Sequence, residues 1–186
     1  MRKFYHITKK AYLASILKNG LKPSAETGIQ NTYMGLKGDP NFVYFETLEG
    51  MLDLKKDFDG GHYNREIWNE DSVLLEVSLS EKHPVERDMD QLLVMWAYNE
   101  PDRGKYYKKY FEEVFGLQFI LKPTKENIIE FCKKEITEEM WNKNGLPYRS
   151  AYGVPPSCLK IITLEDITQK TEANDKGNVS NPKDNR

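Results

Sequence analysis

The stretch that decides the fold is residues 4–24, FYHITKKAYLASILKNGLKPS. Its opening is aromatic and β-branched, which predicts a strand over residues 3–7. Thr8 follows as a candidate helix cap, and apolar residues then recur at helical spacing over residues 11–19. Glycine readily adopts the positive φ that ends a helix, so Gly20 marks the predicted helix C-terminus. The chain therefore opens with a strand followed at once by a helix.

The composition indicates an intracellular protein of ordinary charge. The 186 residues carry 27 Lys plus Arg and 29 Asp plus Glu, a net charge of −2, which gives no global field toward nucleic acid or an anionic membrane. Cys132 and Cys158 lie in apolar stretches, and two cysteines are too few for a disulfide framework. With no signal-like leader and no apolar run of membrane-spanning length, we expect a cytoplasmic location without a membrane partner.

Further elements are predicted along the chain by composition and periodicity. The polar, glycine-containing segment 24–41 predicts a long loop, and residues 42–45, FVYF, predict a short strand. A helix is expected to begin at Thr47, and residues 73–79 predict another strand. Residues 158–164 predict a closing strand after two prolines.

This order of elements predicts an α+β domain with a mixed or antiparallel sheet and flanking helices. We expect one domain over residues 1–169, with a helical insertion around residues 88–140. The segment 170–186 has almost nothing to bury, so a disordered tail is expected there. The histidines and cysteines show no metal-ligand spacing, and no metal site is expected.

Three segments carry a resemblance to a known superfamily. YHIT with LASILKNGLKPS at the start, FVYFET at 42–47 and NGLPYRSAYGVPPSCLKI at 144–161 together resemble the ADP-ribosyltransferase-like superfamily. That superfamily includes the poly-ADP-ribose polymerases, the diphtheria-type toxins and the RNA 2'-phosphotransferases. The resemblance implies a split-sheet fold and NAD as a substrate, with transfer of ADP-ribose to a macromolecular acceptor, protein or nucleic acid.

The resemblance also implies roles for individual residues. His6 would bind the ribose hydroxyls of NAD, Thr8 would add a contact on the adenosine side, and Tyr44 would stack on the nicotinamide ring. His6 and Tyr44 are the candidate catalytic residues, and Arg149 is a candidate phosphate contact. Structural alternatives stay open: a strand histidine bonded to a backbone carbonyl, a core tyrosine, a capping threonine and a solvated arginine.

The sequence departs from the superfamily in its late segment. Cleavage of the nicotinamide bond builds positive charge on the ribose, and the superfamily usually supplies a glutamate there. Residues 142–155 contain no Asp or Glu. The acidic candidates nearby are Glu130, Glu135, Glu138 and Glu139. Two alternative functions therefore remain: a catalytically degenerate member acting as a binding or inhibitory protein, and an enzyme resembling the RNA 2'-phosphotransferases.

Overall fold

A computed structural model of the chain describes residues 1–29, 32–33, 36–59, 69–88, 112, 137–143 and 145–167. The first half of this structure contains, in chain order, β1 (Arg2–Lys9), α1 (Lys10–Asn19), α2 (Ser24–Thr27), β2 (Thr32–Tyr33), β3 (Leu36–Lys37), β4 (Val43–Phe45) and α3 (Leu48–Asp59). The second half contains β5 (Ser72–Leu79), β6 (Glu86–Arg87), α4 (Glu138–Lys143), β7 (Tyr148–Ser150), a 3₁₀ turn (Pro156–Cys158) and β8 (Leu159–Ile162).

The strands form antiparallel sheets, so the expected α+β class with an antiparallel sheet is confirmed. One three-stranded sheet has the order β1-β5-β8, and another has the order β4-β7-β6. β2 and β3 pair as a separate hairpin. The two larger sheets meet at an isolated bridge between Tyr5 and Glu46, whose main chains exchange hydrogen bonds of 2.9 and 2.8 Å.

The central strand β5 is covered on both faces, because its side chains alternate between two apolar clusters. Leu75, Val77 and Leu79 face the larger cluster, where the rings of β1, β4 and β7 also pack. Leu74 faces the smaller cluster, which includes Met51 of α3. The two clusters hold β1 and β4 in place at the junction between the sheets.

The opening stretch follows its prediction except at the start of the helix. β1 continues through Thr8, which is opposite Val73, to Lys9, so the predicted cap at Thr8 is wrong. Pairing with β5 keeps Thr8 extended within β1. Lys9 therefore occupies the N-cap of α1, and it makes no side-chain capping hydrogen bond. The predicted C-terminus is confirmed: Gly20 has φ 83°, and its N–H donates to the Ile16 carbonyl.

Other segments correct the sequence prediction in part. The segment predicted as a loop over 24–41 contains α2 and the β2–β3 hairpin. The strand β6 was not predicted, and the closing strand is limited to Leu159–Ile162 because residues 156–158 form the 3₁₀ turn. The strands at 42–45 and 73–79 are confirmed within one or two residues.

Two predictions about domain organisation lie largely outside the described residues. The predicted insertion around 88–140 is described at Asp88, at Glu112 and from Thr137, where α4 begins one residue later. The predicted disordered tail at 170–186 lies outside them entirely. Within the described part of the chain, no helix is long and apolar enough to cross a membrane.

Thr47 caps α3, and its replacement should measurably destabilise the fold. The Thr47 Oγ1 accepts a hydrogen bond of 3.2 Å from the Gly50 N–H, at a helix end where such N–H groups otherwise lack partners. Thr47→Ala should lower the free energy of unfolding by about 1 kcal/mol in urea titrations. Thr47→Ser keeps the hydroxyl and is the control. Equal losses in both variants would contradict the capping role.

Candidate functional site

The candidate site lies where the two three-stranded sheets meet. Tyr5 of β1 pairs with Glu46, the residue that follows β4, in a single bridge. Apart from this bridge, β1 and β4 belong to different sheets. His6 follows the bridge on β1, and Tyr44 comes two residues before it on β4. Two residues far apart in sequence are thereby brought to one point of the fold.

The His6 ring connects the two strands through one hydrogen bond. Its Nδ1 lies 2.9 Å from the Tyr44 carbonyl oxygen, which is the bond to a backbone carbonyl that the structural alternative for His6 expects. A carbonyl oxygen can only accept, so Nδ1 carries the hydrogen and donates it. Burial lowers the pKa of His6, although the hydrogen bond to Tyr44 opposes this. The ring is therefore neutral at neutral pH, with Nε2 as an acceptor for a hydroxyl hydrogen.

The Tyr44 ring is half-buried and held against the segment before β4. A Cβ placed on Gly38 would lie 3.1 to 3.2 Å from three atoms at the outer edge of this ring, so glycine allows the close packing. The Tyr44 hydroxyl donates to the Asp39 carbonyl at 3.3 Å. The ring is thus fixed in orientation, as a stacking platform for a flat ligand requires.

Arg149 lies directly opposite Tyr44 in the β4–β7 pair. Its Nε donates to Glu86 Oε1 at 2.8 Å, and its guanidinium carbon lies 4.1 Å above the centre of the Phe42 ring. The side chain is 15% exposed, so the alternative of a freely solvated arginine is wrong. A phosphate approaching this guanidinium would compete with Glu86, which is itself exposed.

Thr8 lies on the same strand as His6 and two residues further along. Since side chains alternate in a strand, Thr8 and His6 lie on the same face of β1. The four residues predicted from the sequence therefore lie on three strands: His6 and Thr8 on β1, Tyr44 on β4 and Arg149 on β7. His6, Tyr44 and Arg149 are adjacent positions that form a row of residues across the junction: the His6 ring contacts the Tyr44 main chain, and Tyr44 pairs with Arg149.

The structure adds two acidic residues that the sequence prediction missed. Glu46 follows β4, and Asp88 is buried just after β6, where its N–H donates to the Pro147 carbonyl. Burial, and after it the nearby Asp88 carboxylate, raises the pKa of Glu46 from 4.5 to about 7. The two-residue spacing of Tyr44 and Glu46 was the available sequence signal, because it places both side chains on one face of an extended chain.

The acidic candidates named from the sequence are elsewhere. Glu138 and Glu139 lie in the first turn of α4 and are exposed. Glu138 is close enough to Tyr148 to contribute, after burial, to the raised pKa of that phenol. Glu130 and Glu135 are outside the described residues. The late strand β7 itself presents Tyr148, Arg149 and Ser150.

The part of the chain that the structure describes contains no group of three or more His, Cys, Asp or Glu side chains arranged to hold a metal ion. The resemblance to the ADP-ribosyltransferase-like superfamily stays a prediction from sequence motifs. Comparison of the chain with protein-family models, with curated proteins and with solved structures finds no match in any of the three.

Proposed function

We propose that this protein is an NAD-binding ADP-ribosyltransferase that modifies a macromolecule, protein or nucleic acid. The observation that supports the proposal best is the contact between the His6 ring and the Tyr44 carbonyl. His6 and Tyr44 are 38 residues apart in the sequence, and the contact joins them at the junction of two sheets. A fold alone would not establish chemistry, so the proposal rests on this contact between the His6 ring and the main chain of Tyr44.

The arrangement suits the parts of NAD in turn. The His6 Nε2 accepts a hydrogen from a ribose hydroxyl, because its Nδ1 hydrogen is already donated to Tyr44. The Tyr44 ring stacks on the nicotinamide, and the Arg149 guanidinium binds the pyrophosphate. Thr8, on the same face as His6, adds a hydroxyl contact toward the adenosine side.

The reaction breaks the bond between nicotinamide and ribose. Nicotinamide leaves with the bonding electrons, and a nucleophile of the acceptor forms the new bond to the ribose carbon and loses its proton. Positive charge develops on the ribose before the new bond is complete, and a site that fixes the ribose and the ring lowers the barrier by holding this geometry.

Transfer of label from NAD tests the proposal. Protein is incubated with cell extract and NAD labelled in its adenosine part, and label in macromolecules is counted. We expect transfer by the unmodified protein and a loss of about 100-fold or more in His6→Ala and Tyr44→Ala. His83→Ala and Tyr152→Ala are the matched controls, since both residues lie outside the row. Undiminished transfer by His6→Ala would overturn the site assignment.

A second candidate function is a catalytically degenerate protein that has kept the fold and acts as a binding or inhibitory protein. It is favoured by β7, which presents Arg149 opposite Tyr44 where the resemblance implies a nearby carboxylate. This candidate predicts no affinity for NAD, no release of nicotinamide and no labelled product. Release of nicotinamide that depends on His6 would exclude it.

A further inference from the structure

The main chain of Glu46 is fixed at the junction between the two sheets. Both its N–H and its carbonyl are bonded to Tyr5, which sets its backbone at the point where β1 and β4 meet. Tyr44 lies two residues earlier in the same extended segment, so the two side chains project to the same side. A ring stacked on Tyr44 would therefore lie beside the Glu46 carboxyl.

The Glu46 carboxyl is partly buried, and the described residues give it no compensating partner. Among the described residues, no hydrogen bond or ion pair engages it. Its Oε2 lies 3.1 Å from the position that a Cβ on Gly50 would occupy, so α3 closes one side of it. An ionised carboxylate in such surroundings is costly unless a partner of opposite charge is supplied.

One other carboxyl group acts on the Glu46 carboxyl. Asp88 faces it from the end of β6 and disfavours its ionisation. On β1, the Tyr5 phenol has a pKa raised to about 12, first by burial and then by Glu76 of β5 and Glu49 of α3. The Lys3 Nζ lies 3.4 Å from Glu76 Oε1 and offsets part of the negative charge of Glu76. The neutral His6 ring adds no positive charge. A bound cation would therefore offset the negative charge of an ionised Glu46 carboxylate.

We infer that Glu46 sets the ligand specificity of the site, selecting the positively charged, oxidised nicotinamide ring over the uncharged reduced ring. The inference rests on the proposed function, because it needs the ring to occupy the face of Tyr44. The ribose and phosphate groups are the same in both forms of the dinucleotide. The discrimination therefore comes from the charge on the ring and the carboxylate beside it.

Calorimetric titration of the full chain with NAD, NADH and ADP-ribose tests this inference. The unmodified protein should bind NAD at least about tenfold more tightly than NADH. Glu46→Gln should reduce that preference to within about threefold, while ADP-ribose, which lacks the ring, binds both proteins alike. Glu165→Gln, an exposed acid on the segment after β8, is the matched control and should keep the full preference.

The outcomes separate the inference from the function on which it rests. A preference for NAD that survives in Glu46→Gln, or equal binding of NAD and NADH by the unmodified protein, would overturn the inference and leave NAD binding intact. Failure of the unmodified protein to bind any of the three compounds would overturn the proposed function and the inference together.

A second measurement uses the unmodified protein alone and does not depend on the folding of a variant. A cation bound beside Glu46 should drive its carboxyl fully into the ionised form. Titrations at pH 7 in two buffers of different ionisation enthalpy should therefore show about half a proton released with NAD and none with NADH. Equal proton release with both dinucleotides would overturn the inference.

Discussion

Gly20→Ala should lower the free energy of unfolding by at least about 3 kcal/mol, through backbone strain and a steric clash. Gly20 has φ 83° and ψ 175°, a region that only glycine adopts readily. A Cβ on this residue would lie 2.1 Å from the Val154 carbonyl oxygen. That carbonyl accepts the Leu21 N–H at 2.9 Å, so the clash would also displace the bridge between two buried residues.

Gly28→Ala is the matched control, because it shares the positive φ without the clash. Gly28 has φ 70° and ψ 1°, and nothing lies within 4 Å of a Cβ placed there. Its replacement should cost about 1 kcal/mol from strain alone. Both variants are measured by urea unfolding at equilibrium. A loss at Gly20 no larger than that at Gly28 would contradict the packing of Gly20 against Val154.

Glu46→Gln should stabilise the protein at alkaline pH and have little effect in acid. The pKa of Glu46 is raised from 4.5 to about 7, so the folded state holds a proton that the unfolded state releases between these values. Stability therefore falls as the pH rises through this window, by up to about 3 kcal/mol. Gln carries no charge at any pH. The free energy of unfolding of the variant should exceed that of the unmodified protein by that amount at pH 8 and equal it at pH 4.

Urea unfolding from pH 4 to pH 8 measures this difference. The control is Glu165→Gln, which removes an exposed carboxylate and should leave the pH dependence unchanged. Parallel stability curves for Glu46→Gln and the unmodified protein would contradict the burial of the Glu46 carboxyl. A gain at pH 8 would indicate that the residue is kept in spite of its cost, as functional groups often are.

Local sequence signals predicted the elements that local chemistry controls. The end of α1 at Gly20, the start of α3 after Thr47 and the strands at 42–45 and 73–79 were predicted because turn residues and side-chain periodicity act over a few residues. Thr8 was misassigned as a cap because pairing with β5, a contact 65 residues away in the chain, extends β1 through Lys9.

The sequence predicted part of the candidate site for a related reason. His6 and Tyr44 stood out because each lies in a recognisable motif, whereas their meeting depends on the isolated bridge between Tyr5 and Glu46. Glu46 lies in the FVYFET segment, but no role was predicted for it, and Asp88 lies in no motif. Their proximity arises only when β6 and β4 join the same sheet through β7. Long-range strand pairing of this kind is not encoded in any single segment.

We propose that the row of His6, Tyr44 and Arg149 binds NAD. The most direct test is a calorimetric titration of the full chain with NAD, alongside His6→Ala and the control His83→Ala, with circular dichroism confirming that each variant is folded. The account predicts saturable binding that is lost in folded His6→Ala and kept in His83→Ala. Absence of binding at millimolar NAD, or equal binding by His6→Ala, would contradict it.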